Sequence, residues 1–287
     1  CWSLVGSEMC IRDSNEVHTM VLDGAGKAFI AGADVKFFVD KIRSDSIPDI
    51  VEFTSNGHKV LNSIENSPKT TIALTTGLAL GGGLELALCC DYRIGTRRTQ
   101  FRFPETSIGI YPGLGGSQRP ARISGIPLAR WAVLGGNFMT AQVAYDIGLL
   151  THLVDLSEVE STTNVCVGQG KPDNKYAGKP SNEASEVVKF ATDFYSDANL
   201  AILLSGGCPE GYDPEDKSIS RQLKNLKYTA PIALSMASDL IDVTATTTLA
   251  EGLDIELSKL TDIFSTRDAL EGLSALIEGR RATYTNS

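Results

Sequence analysis

The segment TTGLALGGGLELALCCDYRIG, Thr75 to Gly95, constrains the fold of this chain more than any other. It opens on the end of a β-branched run, TTIALTT, and closes on a second strand-like run, DYRIG. Between them, GGLELALCC reads as a short buried helix. Strand, helix and strand in so short a span imply neighbouring parallel strands, and hence an α/β layer. The same segment also carries an anomaly. Three glycines, Gly81 to Gly83, precede a lone carboxylate, Glu85, set among Leu84, Leu86, Ala87 and Leu88.

Three explanations compete for GGGLE. A phosphate loop would follow a strand and open a helix, but the stretch matches neither GxxxxGK[ST] nor GxGxxG. Close packing of a helix end on a sheet would use the glycines, yet it leaves a carboxylate in apolar surroundings, which is costly unless it is paired or functional. The third explanation covers both features. A helix N-terminus exposes free N–H groups and partial positive charge. Gly82 would let a carbonyl oxygen approach that N–H, and Glu85 falls on the same face one turn later. Burial would raise the Glu85 pKa, as acid–base work requires.

Partners for this pair are available on both sides. Upstream, AFIAGADV places Gly32 and Ala33 at a tight turn after an apolar run. The Ala33 N–H could face Gly82 as a second donor, although a helix N-cap at Asp34 explains AGAD equally well. Downstream, FRFPETSIG puts Glu105 twenty positions after Glu85, behind Pro104 and a short strand. Two carboxylates could then flank one reacting carbon. A solvated loop residue is the competing reading of Glu105.

The wider pattern agrees with an α/β first half and a helical second half. VHTMVL is a short strand closed by the turn signal DGAGK, and SIPDIVEFTSNGHKVLNSIENSP has a helical period that ends at Pro68. Residues 104–125 are dense in Gly and Pro and read as an ordered loop leading into a helix near Gly116. Short helices follow in PLARWAVLGG, with Trp131 in the core, and in TAQVAYDIG. Residues 155–182 are polar and read as a surface loop or linker. Beyond them, 184–204, 214–245 and 249–281 read as helical. No internal repeat is visible in the sequence.

Composition narrows the partners and the compartment. The 287 residues are 42% hydrophobic and carry a formal net charge of -9. No basic excess exists to neutralise phosphates, which argues against nucleic acid as a partner. Arg97, Arg98 and Arg102 read as a solvated face, and His18, His58 and His152 as ordinary structural or surface residues. None of the six cysteines forms a CxxC pair, and no His/Cys cluster has zinc-like spacing, so no metal is expected. Cys89 and Cys90 read as buried free thiols, which favours a reducing, cytoplasmic setting. No apolar stretch reaches membrane-spanning length, so no membrane role is expected. The opening CWSLVGSEMCIRDS has no clear period and resembles a translated sequencing-adapter artefact. Residues 1–14 are therefore expected to be non-native, a genuine strand and turn being the alternative.

Taken together, AFIAGADVK, GLALGGGLELALCCDYRI, FRFPETSIGIYPGLGGSQR and AYDIGLLTHLV resemble the enoyl-CoA hydratase/isomerase (crotonase) superfamily. The likeness runs over about 17–155 and resumes in IFSTRDALEGLSALIEGRRATY. It implies a crotonase-like α/β core, a ββα superhelix over 15–155, a longer-than-usual linker or insertion over 156–228, and a C-terminal all-helical region over 229–287. That last region would serve oligomerisation and coenzyme A contact.

The resemblance further implies that the N–H groups of Ala33 and Gly82 form an oxyanion hole for a thioester carbonyl. Glu85 and Glu105 match the two acidic positions of hydratases. Ala31, Gly32, Asp34, Gly81, Pro112, Gly113, Phe264 and Arg280 (or Arg281) match substrate-binding positions, with Gly113–Gly116 lining the acyl pocket. The implied substrate is an acyl-CoA thioester, coenzyme A being part of the substrate and no cofactor permanently bound. The implied assembly is a homo-oligomer, a trimer or a dimer of trimers.

The chain also departs from the pattern. The family's first strand and helix, which normally precede VHTMVL, are not found. A fragment, and an upstream dehydrogenase domain of a multifunctional protein, are both compatible with that. The expected activity is enoyl-CoA hydration. The alternatives are a Δ3,Δ2-enoyl-CoA isomerase, a 3-hydroxyacyl-CoA hydrolase or decarboxylase of the same fold, and an inactive truncated chain.

Overall fold

The strand–helix–strand expectation is realised as a succession of strand–strand–helix units. A computed structural model describes residues 14–287, so the expectations for 1–13 lie outside the described residues. In the first unit, β1 (Thr19–Asp23) and β2 (Ala28–Ala31) precede α1 (Val35–Arg43) and α2 (Ile47–Glu65). In the second, β3 (Thr70–Thr75) and β4 (Leu78–Leu80) precede α3 (Gly82–Cys89). In the third, β5 (Tyr92–Gly95) and β6 (Gln100–Arg102) precede a 3-10 turn, Glu105–Ile108.

Each unit gives one strand to each of two sheets. One sheet runs β1-β3-β5-β8, with β8 at His152–Leu153; the other runs β2-β4-β6-β7, with β7 at Met139–Thr140. All pairings are parallel except β6 with β7. The repeat is one of architecture, with no counterpart in the sequence. β3, TTIALT, is buried along almost its whole length, as a parallel strand covered on both faces should be. Helix α3 is buried from Gly83 to Cys89. It lies so close to β2 that a Cβ on Gly83 would stand 2.2 Å from the Ile30 carbonyl oxygen. This position therefore admits only glycine.

Two expectations are corrected. The polar stretch 155–182 is not all loop. It contains α7 (Val159–Gln169), preceded by a 3-10 turn with a capping box between Asp155 and Glu158, and the helix buries its own Cys166 completely. Polarity concealed the helix, while the capping pair Asp155–Glu158 signalled it. The remainder is tied to the core by Lys171, 3.0 Å from Asp91, and Lys175, 2.7 Å from Glu65. The segment 156–228 as a whole sends Val188, Phe194, Ile219 and Leu226 into the main core, so it is more than a linker.

The helix expected near Gly116 is α4 (Arg119–Ser124), with Pro120 in its first turn. That later start leaves Leu114–Ser117 outside the helix, with N–H groups free to serve other acceptors. Short helices α5 (Ile126–Val133) and α6 (Ala141–Asp146) follow, and Trp131 is buried as expected.

The remaining helices wrap back onto the first half. They are α8 (Glu186–Phe194), α9 (Asp197–Leu204), α10 (Lys217–Lys227), α11 (Pro231–Asp242), α12 (Leu249–Ser258), α13 (Leu260–Phe264) and α14 (Arg267–Glu278). Phe264 stacks on Phe38 of α1 with ring centroids 5.5 Å apart. The Tyr111 hydroxyl donates to the Glu256 carbonyl of α12 at 2.6 Å. No helix among the described residues is long and apolar enough to cross a membrane.

Candidate active site

Strand register brings the separate sequence motifs to one place. In the second sheet Ala31 pairs with Leu80, and Leu80 with Arg102. The strands are parallel and leave the sheet at the same end, so the residues just beyond them converge. They are Gly32 and Ala33 after β2, Gly81 and Gly82 after β4, and Glu105 after β6. The carboxyl ends of parallel strands are where open α/β sheets hold ligands. Asp34 does cap α1, accepting from the Lys36 N–H at 3.0 Å. The N-cap reading of AGAD is therefore correct, and it leaves Ala33 exposed at the turn.

The glycines of GGGLE have distinct reasons. Gly81 has φ +49°, and a Cβ there would lie 2.3 Å from Glu105 Oε1. Gly82 is the first residue of α3, so its N–H lacks an intrahelical acceptor and sits at the positive end of the helix. A Cβ on Gly82 would meet Leu114 Cδ1 at an ordinary 3.4 Å. Gly83 provides the close approach to β2 described above.

Glu85 is buried, and its Oε1 accepts two backbone N–H groups, from Leu114 at 2.7 Å and Gly116 at 2.8 Å. Burial pushes its pKa up, with the nearby Glu256 charge adding to the effect and the two N–H donors opposing it. The carboxyl rests at about 7. Glu105 is also buried, and its Oε2 has no hydrogen-bond partner among the described residues. Burial and the Glu85 charge hold its pKa well above the usual carboxylate range, with Arg102 a smaller opposing influence. The solvated-loop reading of Glu105 is thus overturned. Two neighbouring buried carboxyls titrate as a pair, and Glu85, whose charge two N–H groups stabilise, ionises first while its charge keeps Glu105 protonated.

Two further members of the site were not expected from the sequence. Glu256 on α12 is completely buried. Its Oε1 accepts the Gly115 N–H at 2.6 Å, and its Oε2 accepts the Ser117 N–H at 3.3 Å as well as the Ser117 hydroxyl. His58 on α2, expected to be unremarkable, has Nε2 2.7 Å from the Gly113 carbonyl and 3.4 Å from Glu256 Oε1. Burial works against a charge on His58, but Glu256 and the Gly113 carbonyl outweigh it and raise its pKa. A carboxylate at an apolar helical position, the signal that singled out Glu85, also marks Glu256 in LDIELSKL.

The other expected residues are placed as follows. Pro112 packs on Gly116, where a Cβ would be only 2.6 Å from its own Cβ, and Gly113 contacts the site through its carbonyl. Ala31 ends β2. Phe264 is buried against Phe38, and Arg280 is exposed and held by Glu271 and Glu278 at 2.6 Å each, so neither is joined to the carboxylates. Arg102 is not simply a solvated face: its Nε donates to the Gly136 carbonyl and its guanidinium lies 4.6 Å from the Phe138 ring centre. An open cleft of about 450 Å³ between Arg97 and Glu158 contains neither carboxylate.

A family profile described as enoyl-CoA hydratase/isomerase matches residues 8–284. The crotonyl-CoA hydratase of Syntrophomonas wolfei is 31% identical over 276 residues, spanning 96% of this chain and 83% of the relative. An enoyl-CoA isomerase/hydratase of Mycosarcoma maydis is 28% identical over 275 residues, spanning 96% of this chain and 78% of its own length. Among solved structures, an enoyl-CoA hydratase from Rhodobacter sphaeroides superposes with a TM-score of 0.81 at 21% identity, covering 98% of this chain and 83% of that one. At that identity the likeness speaks to the fold.

Proposed function

The chain belongs to the enoyl-CoA hydratase/isomerase family and has the crotonase fold, and from that premise we propose that it adds water across the double bond of a 2-trans-enoyl-CoA. The observation that carries this reading is a pair of buried carboxyls in unlike surroundings: Glu85 held by two N–H donors, and Glu105 with an unpartnered oxygen. Carboxyls whose environments separate their proton affinities are suited to opposite acid–base roles.

In this reading the thioester oxygen sits on the N–H groups of Gly82 and Ala33. Ionised Glu85 takes a proton from water as the water oxygen bonds to the β-carbon. The π electrons move to the thioester oxygen, where the two N–H groups stabilise the enolate; one such donor is typically worth roughly 3 kcal/mol of barrier. Glu105, protonated, then delivers its proton to the α-carbon as the carbonyl re-forms. One O–H and one C–H proton are thereby exchanged between the pair, and solvent restores both carboxyls after product release. Ala31, Gly32, Asp34, Gly81, Pro112 and Gly113 complete the proposed contacts near the carboxylates, whereas Phe264 and Arg280, which lie apart from them, would meet only the coenzyme A portion. Half-exposed Leu276 and Ile277 on α14 are consistent with assembly as a homo-oligomer.

Double-bond isomerisation, named for the fungal relative, needs one proton-carrying carboxylate. The second buried carboxyl favours hydration. The test is hydration of crotonyl-CoA, followed by loss of the enoyl-thioester absorbance, in the parent and in Glu85→Gln and Glu105→Gln. Both variants are expected to lose at least a hundredfold in kcat. A folded parent that binds acyl-CoA but hydrates nothing overturns the reading, as does a Glu105→Gln variant with the parent's rate.

A further inference from the structure

The loop Leu114–Ser117 presents consecutive N–H groups alternately to two carboxylates. Leu114 and Gly116 donate to Glu85, whereas Gly115 and Ser117 donate to Glu256. Glu85 can keep both donors only while the other face of the loop is held. That face is held by a fully buried carboxylate on α12, which is itself held by His58 and the Ser117 hydroxyl. His58 Nε2 contacts two acceptors, the Gly113 carbonyl and Glu256 Oε1, so this nitrogen carries the proton.

We propose that Glu256, with His58, is a positioning residue for Glu85: it fixes the donor loop from behind, and its charge stands across that loop from Glu85. The C-terminal helical region thereby becomes part of the reaction centre. The proposal rests on reading Glu85 as the group that takes the proton from water.

The sign of the field follows from the charges present. Glu256 opposes ionisation of Glu85, and a protonated His58 favours it. The other groups facing this cluster are Glu105 from the 3-10 turn, Arg102 of β6 beside Glu105, the Tyr111 hydroxyl on the Glu256 carbonyl, and Arg119 of α4, whose Nη1 donates to the Leu114 carbonyl at 3.0 Å. Removing the Glu256 charge also eases ionisation of Glu105 and Tyr111, the same direction as for Glu85.

Two variants test this with opposite signs. Glu256→Gln keeps the shape and removes a negative charge; His58→Gln keeps an N–H donor and removes the imidazole that Glu256 favours in its charged form. The titration of Glu85 is read by carboxyl 13C NMR, its signal assigned by its loss in Glu85→Gln. Crotonyl-CoA kinetics are measured alongside. In Glu256→Gln, Glu85 should titrate at lower pH than in the parent, with kcat down between about tenfold and a hundredfold and KM nearly unchanged, the range expected when a supporting contact lets a reacting group shift by about 1 Å. In His58→Gln, Glu85 should titrate at higher pH. A folded Glu256→Gln whose Glu85 titrates as in the parent overturns the proposal, whatever its kcat. If Glu256→Gln does not fold, His58→Gln decides alone, and an unshifted titration there overturns it. A parent inactive on crotonyl-CoA would remove the hydratase reading, while the titrations would still decide this one.

Discussion

Replacing Glu85 by glutamine should stabilise the fold while greatly slowing the proposed reaction. Glutamine mimics the neutral carboxyl, and its Oε1 can still accept from Leu114 and Gly116. The parent must instead ionise a fully buried group. An ordinary glutamate titrates at 4.5, and Glu85 in the folded chain at about 7. The folded state therefore binds the proton more tightly than the unfolded state. Its contribution is fully present below pH 4.5 and is lost as pH rises through about 7. At about 1.4 kcal/mol per pH unit, that gap amounts to about 3 kcal/mol of stability missing from the parent at pH 8.

The assay is urea unfolding of the parent and Glu85→Gln at equal protein concentration, at pH 8 and at pH 4.5. The variant should be more stable by about 3 kcal/mol at pH 8. Near pH 4.5 the advantage should have almost gone, because the parent carboxyl is then largely protonated when folded. Hydration should fall by about 10²–10⁴, the usual contribution of a positioned acid or base. A variant no more stable than the parent at pH 8, or one whose advantage is the same at both pH values, would refute the argument that burial holds Glu85 near neutrality.

Two further outcomes follow from the geometry. Gly81→Ala combines φ +49° with a Cβ 2.3 Å from Glu105 Oε1. It should destabilise by about 1–2 kcal/mol from the left-handed backbone alone, and by turning Glu105 aside it should lower kcat by about a hundredfold; urea unfolding and crotonyl-CoA kinetics measure the two effects. Glu65 is buried between Arg119 and Lys175, at 2.7 Å from each. Burial works against its charge, but the two cations outweigh this and hold its pKa at about 2, so its contribution is present above pH 4.5 and is lost as pH falls through about 2. Glu65→Gln should therefore cost about 3–5 kcal/mol at pH 7 by leaving Arg119 buried without its charge partner, with a smaller deficit from the parent in urea unfolding at pH 3.

The sequence by itself determined the local features. The β-branched run before Gly77 and the apolar run after Gly83 specify a strand and a buried helix through interactions reaching only a few residues. The same neighbourhood identifies Glu85 as a carboxylate with no solvent around it, and Asp34 as a cap. The short strands β2, β4 and β6 were only half legible, because runs of three or four residues carry little periodicity. The helix at Val159–Gln169 was hidden by polar composition.

Only the tertiary structure decided what Glu85 touches. Register across β2, β4 and β6 places Ala33, Gly82 and Glu105 at one edge, and register is set by the packing of whole sheets. The donor loop is held by Glu256, which lies 141 positions from Gly115, and by His58, whose surroundings no local pattern foretells. A buried charge is tolerated only where distant segments together supply its hydrogen bonds. The identity of those segments is therefore a property of the folded chain and not of any stretch of it.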